Sequence, residues 1–416
     1  WFVSPELRVN YYSPIKDGVI GVGTNFQSSA GHLENASGYR NLGVDVNYSK
    51  KLSDIRNLTS QLSLNNDFNR MFTLSDEMQN LLGGVPRKDN QGVIWTTRLH
   101  EQKNTFHKNS YAVQVGLFES ELNSAIMAIQ DKASSSFIKA QIHRSWPGQQ
   151  AREYWSLQTG VDVHSNKVDG SGTSLYLIRA GGGYTRLIDY AWSVDLETSL
   201  AYADDTINGG IYIEPDATLS YNYNDQLGGV AKLSGKLKDP TLLEWQEYNR
   251  FLTPSTQLQH SYHIGVSAEL FWSFMQTNRV YSGLQWEHIS RFGYAQRQQL
   301  DLTNPDNPTG NTQDLFYNLN YADARVSKFY LGSTAAWLDG DIQGAAEISL
   351  RSPRLTSKKD IPFEEKFRIE GSVNYSMTPK LQIGASTLII GPRTTTGSEQ
   401  LDGFILVHSN LRYSFN

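Results

Sequence analysis

The sequence predicts an all-β fold, a large antiparallel barrel, on three observations. The first is alternation: Phe367, Ile369, Val373, Tyr375 and Met377 interleave with Arg368, Glu370, Ser372, Asn374 and Ser376. Period two marks a strand with one apolar and one wet face. The second is a recurring aliphatic-x-Tyr strand end, at Val9-Asn10-Tyr11, Val46-Asn47-Tyr48, Leu219-Ser220-Tyr221, Val373-Asn374-Tyr375 and Leu411-Arg412-Tyr413. The third is an asymmetry of connections. Short turns follow the first four of those ends, at 13–18, 50–57, 224–226 and 378–380. Long polar connections fall between the other strand ends, at 30–40, 73–91, 238–260, 291–312, 353–362 and 392–400.

Physical chemistry turns these observations into a transmembrane barrel. Lipid offers no hydrogen-bond partner to the backbone, so a membrane sheet must close on itself. Its outer face must then be apolar, and its inner face can be wet. Tyr at a strand end suits an aromatic girdle, ring in lipid and hydroxyl among headgroups. Short turns on the periplasmic side and long loops outside are the habit of bacterial outer-membrane barrels. Residues 1–416 therefore read as one integral outer-membrane barrel, surrounded by lipid and lipopolysaccharide. A soluble sandwich or propeller also alternates, but it buries the apolar face against a second layer.

The elements follow in order. Descending strands are expected near 5–12, 41–49, 92–104, 134–145, 173–186, 210–223, 262–274, 314–338, 364–377 and 401–415. Ascending strands are expected near 19–28, 58–71, 110–121, 153–165, 191–204, 228–237, 278–291, 342–351 and 380–391. That makes about 19, an odd number where such barrels are usually even. The expectation is a barrel of about 20–22 strands with some lying beyond the two ends of this sequence.

Composition agrees. Of 416 residues 39% are hydrophobic, yet 12% are aromatic, which excludes a disordered chain. Cysteine is absent, excluding disulfides, thiolate metal sites and Cys nucleophiles. A net charge of −5 gives no footprint for nucleic acid.

The stretch "IPFEEKFRIEGSVNYSMTPKLQIGASTLIIGPRTTTGSEQLDGFILVHSNLRYSFN" resembles the C-terminal barrel of TonB-dependent receptors. "EYNRFLTPSTQLQHSYHIGVSAEL" resembles that family's loop-then-strand pattern. The opening "WFVSPELRVNYYSPIKDGVIGVGTNFQSSAGHLENASGYRNLGVDVNYSKKL" looks like plugless relatives found in Bacteroidota, because strands begin at once and no plug-like region precedes them. The resemblance implies a transport-type barrel for passage or uptake of a solute. The alternative is a structural or accessory subunit of a larger envelope complex, with other envelope proteins as partners.

Candidate sites are of two kinds. The strand phase turns Asp195, Glu197, Glu269, Arg368, Glu370, His408 and Arg412 inward, where they can bind solute or neutralise one another. In "DPTLLEWQEYNRFL", Leu242, Leu243, Trp245, Tyr248 and Phe251 make an apolar set that either folds onto the barrel mouth or contacts a partner. "TLSDEMQNLLGGVP" at 73–86 reads as a short capped helix. "AGGGYTR" at 180–186 has no phosphate-loop lysine; its glycines suit bending or close approach in a strand. Glu287, His288 and Ser290 are a poor hydrolase set, because Glu287 and His288 point to opposite faces. No metal-ligand spacing and no cofactor motif occur, and the chain is expected not to be an enzyme.

Overall fold

The structure, a computed structural model, describes residues 6–413 apart from 30–37, 71–86, 105–106, 124–129, 151, 169–170, 206, 250–251, 255, 276, 302–311 and 396–399. The expected helix at 73–86 lies outside the described residues.

The chain forms β1 (Glu6–Ile15), β2 (Gly18–Ser29), β3 (Tyr39–Ser53), β4 (Arg56–Arg70), β5 (Arg87–Gln102), β6 (Lys108–Asn123) and β7 (Gln130–Pro147). There follow β8 (Glu153–Val168), β9 (Ser171–Leu187), β10 (Trp192–Asp204), β11 (Gly209–Asn222), β12 (Leu227–Lys238) and one short helix, α1 (Leu242–Tyr248). Then come β13 (Ser261–Phe274), β14 (Asn278–Asp301), β15 (Thr312–Trp337), β16 (Ile342–Leu355), β17 (Phe367–Thr378) and β18 (Leu381–Ile390). A small ribbon, β19 (Arg393–Thr394) with β20 (Gln400–Leu401), precedes β21 (Phe404–Tyr413).

All strands but the ribbon join one 19-stranded sheet, each pairing antiparallel with its neighbour in the chain. This is the large antiparallel barrel fold. Among the described residues β1 pairs with β2 alone and β21 with β18 alone. Both edge strands run toward the short-turn end. A direct β1–β21 pairing would be parallel; an odd number of strands between them would keep the ladder antiparallel throughout.

The alternation does what the sequence demands. Outward on β6 stand Tyr111, Val113 and Leu117, all exposed, while Phe118, Ser120 and Leu122 are buried on the other face. Tyr11, Tyr48, Tyr221, Tyr375 and Tyr413 all sit outward near the short-turn end, joined there by Trp155 against Tyr184 and Trp192 against Tyr221. These rings form a girdle one strand end deep.

Two connections differ from expectation. Residues 291–312 were expected to be a loop, but β14 runs on to Asp301 and β15 starts at Thr312, so the hairpin extends well beyond the barrel wall. A bulge between Ile289 and Phe292 makes the extension possible; it puts Arg291 in the left-handed region at φ 56°. Bulges of this kind re-aim a side chain. The second difference is β5, which begins at Arg87 and so takes Lys88 and Asn90 out of the expected loop and into the wall. In β9, a Cβ on Gly181 would lie 2.5 Å from Ser199 Cβ, so the glycine permits close approach between strands.

Candidate functional site: an inward loop between two unlike walls

The connection between β12 and β13 (239–260) folds into the barrel. It begins with the sequence Thr-Leu-Leu-Glu, which is a capping box. Thr241 Oγ1 accepts from the Glu244 backbone N–H at 3.2 Å, and Glu244 Oε2 accepts from the Thr241 N–H at 2.5 Å. The cap sets the angle of α1 so that Leu242 and Leu243 meet Phe118 of β6 and Ala133 of β7. Each buried leucine contributes about 1.5–3 kcal/mol. Further along, Leu252 packs with Ala295 of β14 and Leu319 of β15, with Trp245 half-buried beside them. The Thr253 N–H donates to Tyr317 O at 2.8 Å. One segment thus ties the β5–β7 wall to β14 and β15, nine strands from β5 in the sheet order.

Leu242 and Leu243 are 2% and 8% exposed, so they are not available as partner contacts. Burial against an apolar patch of wall is the stronger outcome for such a pair. Trp245 faces the same interior. Phe251 and the side chain of Tyr248 are outside the described residues.

Polar groups secure the loop at its middle and at both roots. Lys88 is fully buried; its Nζ donates to Leu252 O at 2.9 Å and to Gln246 Oε1. At the first root, Asp239 Oδ2 lies 3.0 Å from His164 Nε2 and 3.8 Å from Lys139 Nζ. Burial pushes the Asp239 carboxyl up, but His164, Lys139 and Arg179 outweigh it and hold the group below its ordinary value. At the second root, Asp205 Oδ2 accepts from the His260 N–H at 3.0 Å and lies 2.8 Å from His260 Nδ1. Burial is again opposed, here by His260 and the Asn208 N–H, so Asp205 also sits below its ordinary value. Arg291, re-aimed by the bulge, donates to Tyr212 Oη at 2.7 Å and to His260 O at 3.1 Å.

The wall beside the first root is ion-paired. Arg179 donates to Glu214 Oε2 at 3.1 Å, to Asp162 Oδ2 at 3.2 Å and to Leu237 O at 2.6 Å. Ser199 Oγ and the Leu237 N–H also donate to Glu214. Nearer the short-turn end, Arg279 meets Glu269 at 2.5 Å and Lys328 meets Glu347 at 2.8 Å. Tyr330 donates to Glu269 and Tyr281 to Glu347.

The wall from β2 to β6 is different. Its inward positions carry Asn25, Asn41, Asn47, Gln61, Asn65, Asn69, Asn90 and Gln114, with few charges between them. Ser120 donates to Asn90 Oδ1 at 2.6 Å; Asn90 and Asn69 donate to Asp67 Oδ2 at 2.9 and 3.0 Å. A cavity of about 280 Å³ lies between this wall and α1, and one of about 390 Å³ lies lower on the same wall.

Of the inward candidates, Glu269 pairs with Arg279, and Arg368 pairs with Glu370 at 2.7 Å and Glu365 at 3.3 Å. Asp195 accepts from Thr185 Oγ1 at 2.8 Å, and Glu197 stands opposite Asp216. His408 and Arg412 lie on the edge strand β21, exposed and opposite Ser386 and Gln382. Glu287 turns inward to His263 Nδ1 at 2.6 Å, whereas His288 and Ser290 take the alternate, outward positions. Those three therefore make no catalytic set.

Lys88, Lys139, Asp162, His164, Arg179 and Glu214 were not singled out by the sequence. Each is a charged or His residue at an inward strand position, which alternation alone labels as wall. The capping box at 241–244 was the readable sign that the loop is structured.

No protein-family model and no curated protein matches the sequence. Solved structures do match. The siderophore receptor PirA from Acinetobacter baumannii superposes with a TM-score of 0.70 at 10% identity, over 100% of this chain and 72% of that one. The ferric enterobactin receptor PfeA of Pseudomonas aeruginosa gives 0.67 at 11%, over 100% and 70%. The copper transporter OprC gives 0.66 at 9%, over 99% and 72%. At such identity the likeness is one of fold. The barrel is of the kind the TonB-dependent receptor resemblance implies, and the neighbours are transport receptors.

Proposed function

We propose that this protein is a transport-type barrel of the bacterial outer membrane, with the 239–260 loop as its internal constriction. The observation that carries this reading is the loop itself: a segment drawn into the lumen and tied to β5, β7, β8, β14 and β15. A wide polar barrel needs an occluding element, and this loop supplies one. The apolar outward face would meet lipid and lipopolysaccharide. The short turns would face the periplasm and the long hairpins the outside, as in barrels of this class. The likeness of fold to outer-membrane siderophore and copper receptors supports passage through the barrel of a solute small enough to pass the loop. A structural-subunit role draws less support, because the leucines that would have served as partner contacts are buried.

The test is single-channel conductance in planar bilayers, using full-length protein from native membranes and a variant with 241–252 replaced by a Gly-Ser linker. The expected result is about a tenfold or greater rise in conductance, since passage is limited by the narrowest charged and steric barrier. Equal currents from the two proteins would remove the loop as the constriction. A silent pair would remove the transport reading.

A further inference from the structure

We infer that the cavity between α1 and the β3–β6 wall is a binding site for a neutral, hydroxyl-rich solute, a sugar unit. This inference rests on the transport reading for its purpose, but its geometry stands alone.

The hydrogen-bonding groups of the wall set the class of ligand it can hold. A sugar hydroxyl donates one hydrogen bond and accepts others. A carboxamide does both as well, from two ends of one rigid plane, whereas an ammonium only donates and a carboxylate only accepts. A wall of amides therefore matches a hydroxyl-rich ligand without the desolvation cost of charge. The cavity is lined by Asn41, Asn65, Asn90 and Gln246, with Asp67 held between the amides of Asn69 and Asn90. The ring of Phe118 closes one side and supplies an apolar face for the C–H edges of a sugar ring.

A second, independent observation points to a ligand. Gln246 is only 4% exposed, and its Oε1 is taken by Lys88, yet its Nε2 has no hydrogen-bond partner among the described residues. A buried amide donor left unsatisfied costs about 1–3 kcal/mol, so a structure that keeps one at a cavity wall has a use for it. Gln246 lies on the inward loop, so an occupant would bridge the wall to the loop. The second cavity, toward the short-turn end, adds Asn47, Gln61 and Gln114 with Tyr12, Tyr48 and the charged Arg98. Both volumes, about 280 and 390 Å³, suit single sugar units.

The experiment is isothermal titration calorimetry of the full-length detergent-solubilised protein. The probes are glucose, galactose, mannose, N-acetylglucosamine and their disaccharides, with glucuronate and a ferric catecholate as charged comparators. At least one neutral sugar should bind, and Gln246→Leu and Asn65→Leu should each weaken it about tenfold, the value of one well-placed hydrogen bond. Glu347→Gln, on the ion-paired wall, should leave it unchanged. Retained heat-modifiable mobility on gels verifies that each variant is folded, and Asn65→Ser gives a milder second test at the same wall. No heat from any neutral sugar, or binding indifferent to both amide variants, overturns the inference. Binding preserved while the bilayer experiment stays silent would instead overturn transport and leave the site standing.

Discussion

The two walls of the lumen solve the same problem differently. From β7 to β17 many inward charges are matched by opposite charges one or two strands away, as in Arg179 with Asp162 and Glu214 or Lys328 with Glu347, although Glu197 stands opposite Asp216. From β2 to β6 the inward face is richer in neutral amides, linked in a chain through Ser120, Asn90 and Asn69 to the carboxylate of Asp67. The loop closes its contacts with both. The comparison teaches where rigidity and where recognition sit. Ion pairs in a partly buried wall are costly to break and hold the loop's roots. Amides carry a donor and an acceptor on one plane, so they can re-pair with a ligand without moving a charge.

Four expected outcomes sharpen or break that contrast. The largest belongs to Arg179→Met, which leaves Asp162 and Glu214 buried without their shared cation; the loss should be about 3–5 kcal/mol. Thermal unfolding in detergent reads it, and a loss below that of an exposed pair would mean the wall is wetter than its burial indicates. Next is Lys88→Met, which removes the charged donor from Leu252 O and Gln246. A loss of about 1.5–3 kcal/mol is expected, the value of hydrogen bonds from a charged group. Current noise from the reconstituted barrel should rise in the same variant, because the loop loses its tie to β5.

The third concerns pH. Asp239 and Asp205 have folded-state values below the ordinary carboxylate value, so their contribution is present above that value, about 3.9, and is lost as pH falls through the depressed folded value. Fluorescence of Trp245, which sits on the loop between these roots, should therefore hold steady from neutral pH down to about 4 and change only below it. A change that begins well above that range would show that groups other than these carboxylates govern the loop. The smallest effect is Lys232→Met. Its pair with Asp216 is 42% and 45% exposed on the side chains, and its loss should change stability by no more than about 1 kcal/mol. A larger drop would erase the distinction between buried and exposed pairs on the charged wall.

Alternation, aromatic strand ends and turn asymmetry were all legible, because lipid and backbone hydrogen bonding act on every residue of every strand. Nineteen strands could be placed, and the sheet has 19. The boundaries that moved did so where mostly polar residues continue a strand above the wall: Phe292 to Asp301 keep pairing with β15 beyond the bulge. Glu269, Arg368 and Glu370 could be read as inward from period two. What they pair with could not, since Arg279 and Glu365 meet them only once register and side-chain reach are set.

The site was decided at the same level. By itself the sequence determined which face of each strand is wet and where the girdle lies; that residues 241–244 cap a helix came from the structure. Whether that helix would turn outward or inward depended on partners scattered along the chain: Phe118 and Ala133 for its leucines, Lys88 for the Gln246 amide and the Leu252 carbonyl, His164 and Lys139 for its root. Period-two patterning is local, one residue against the next. Closing a loop across a barrel draws on strands far apart in the chain, and only the tertiary structure brings those side chains within hydrogen-bonding distance.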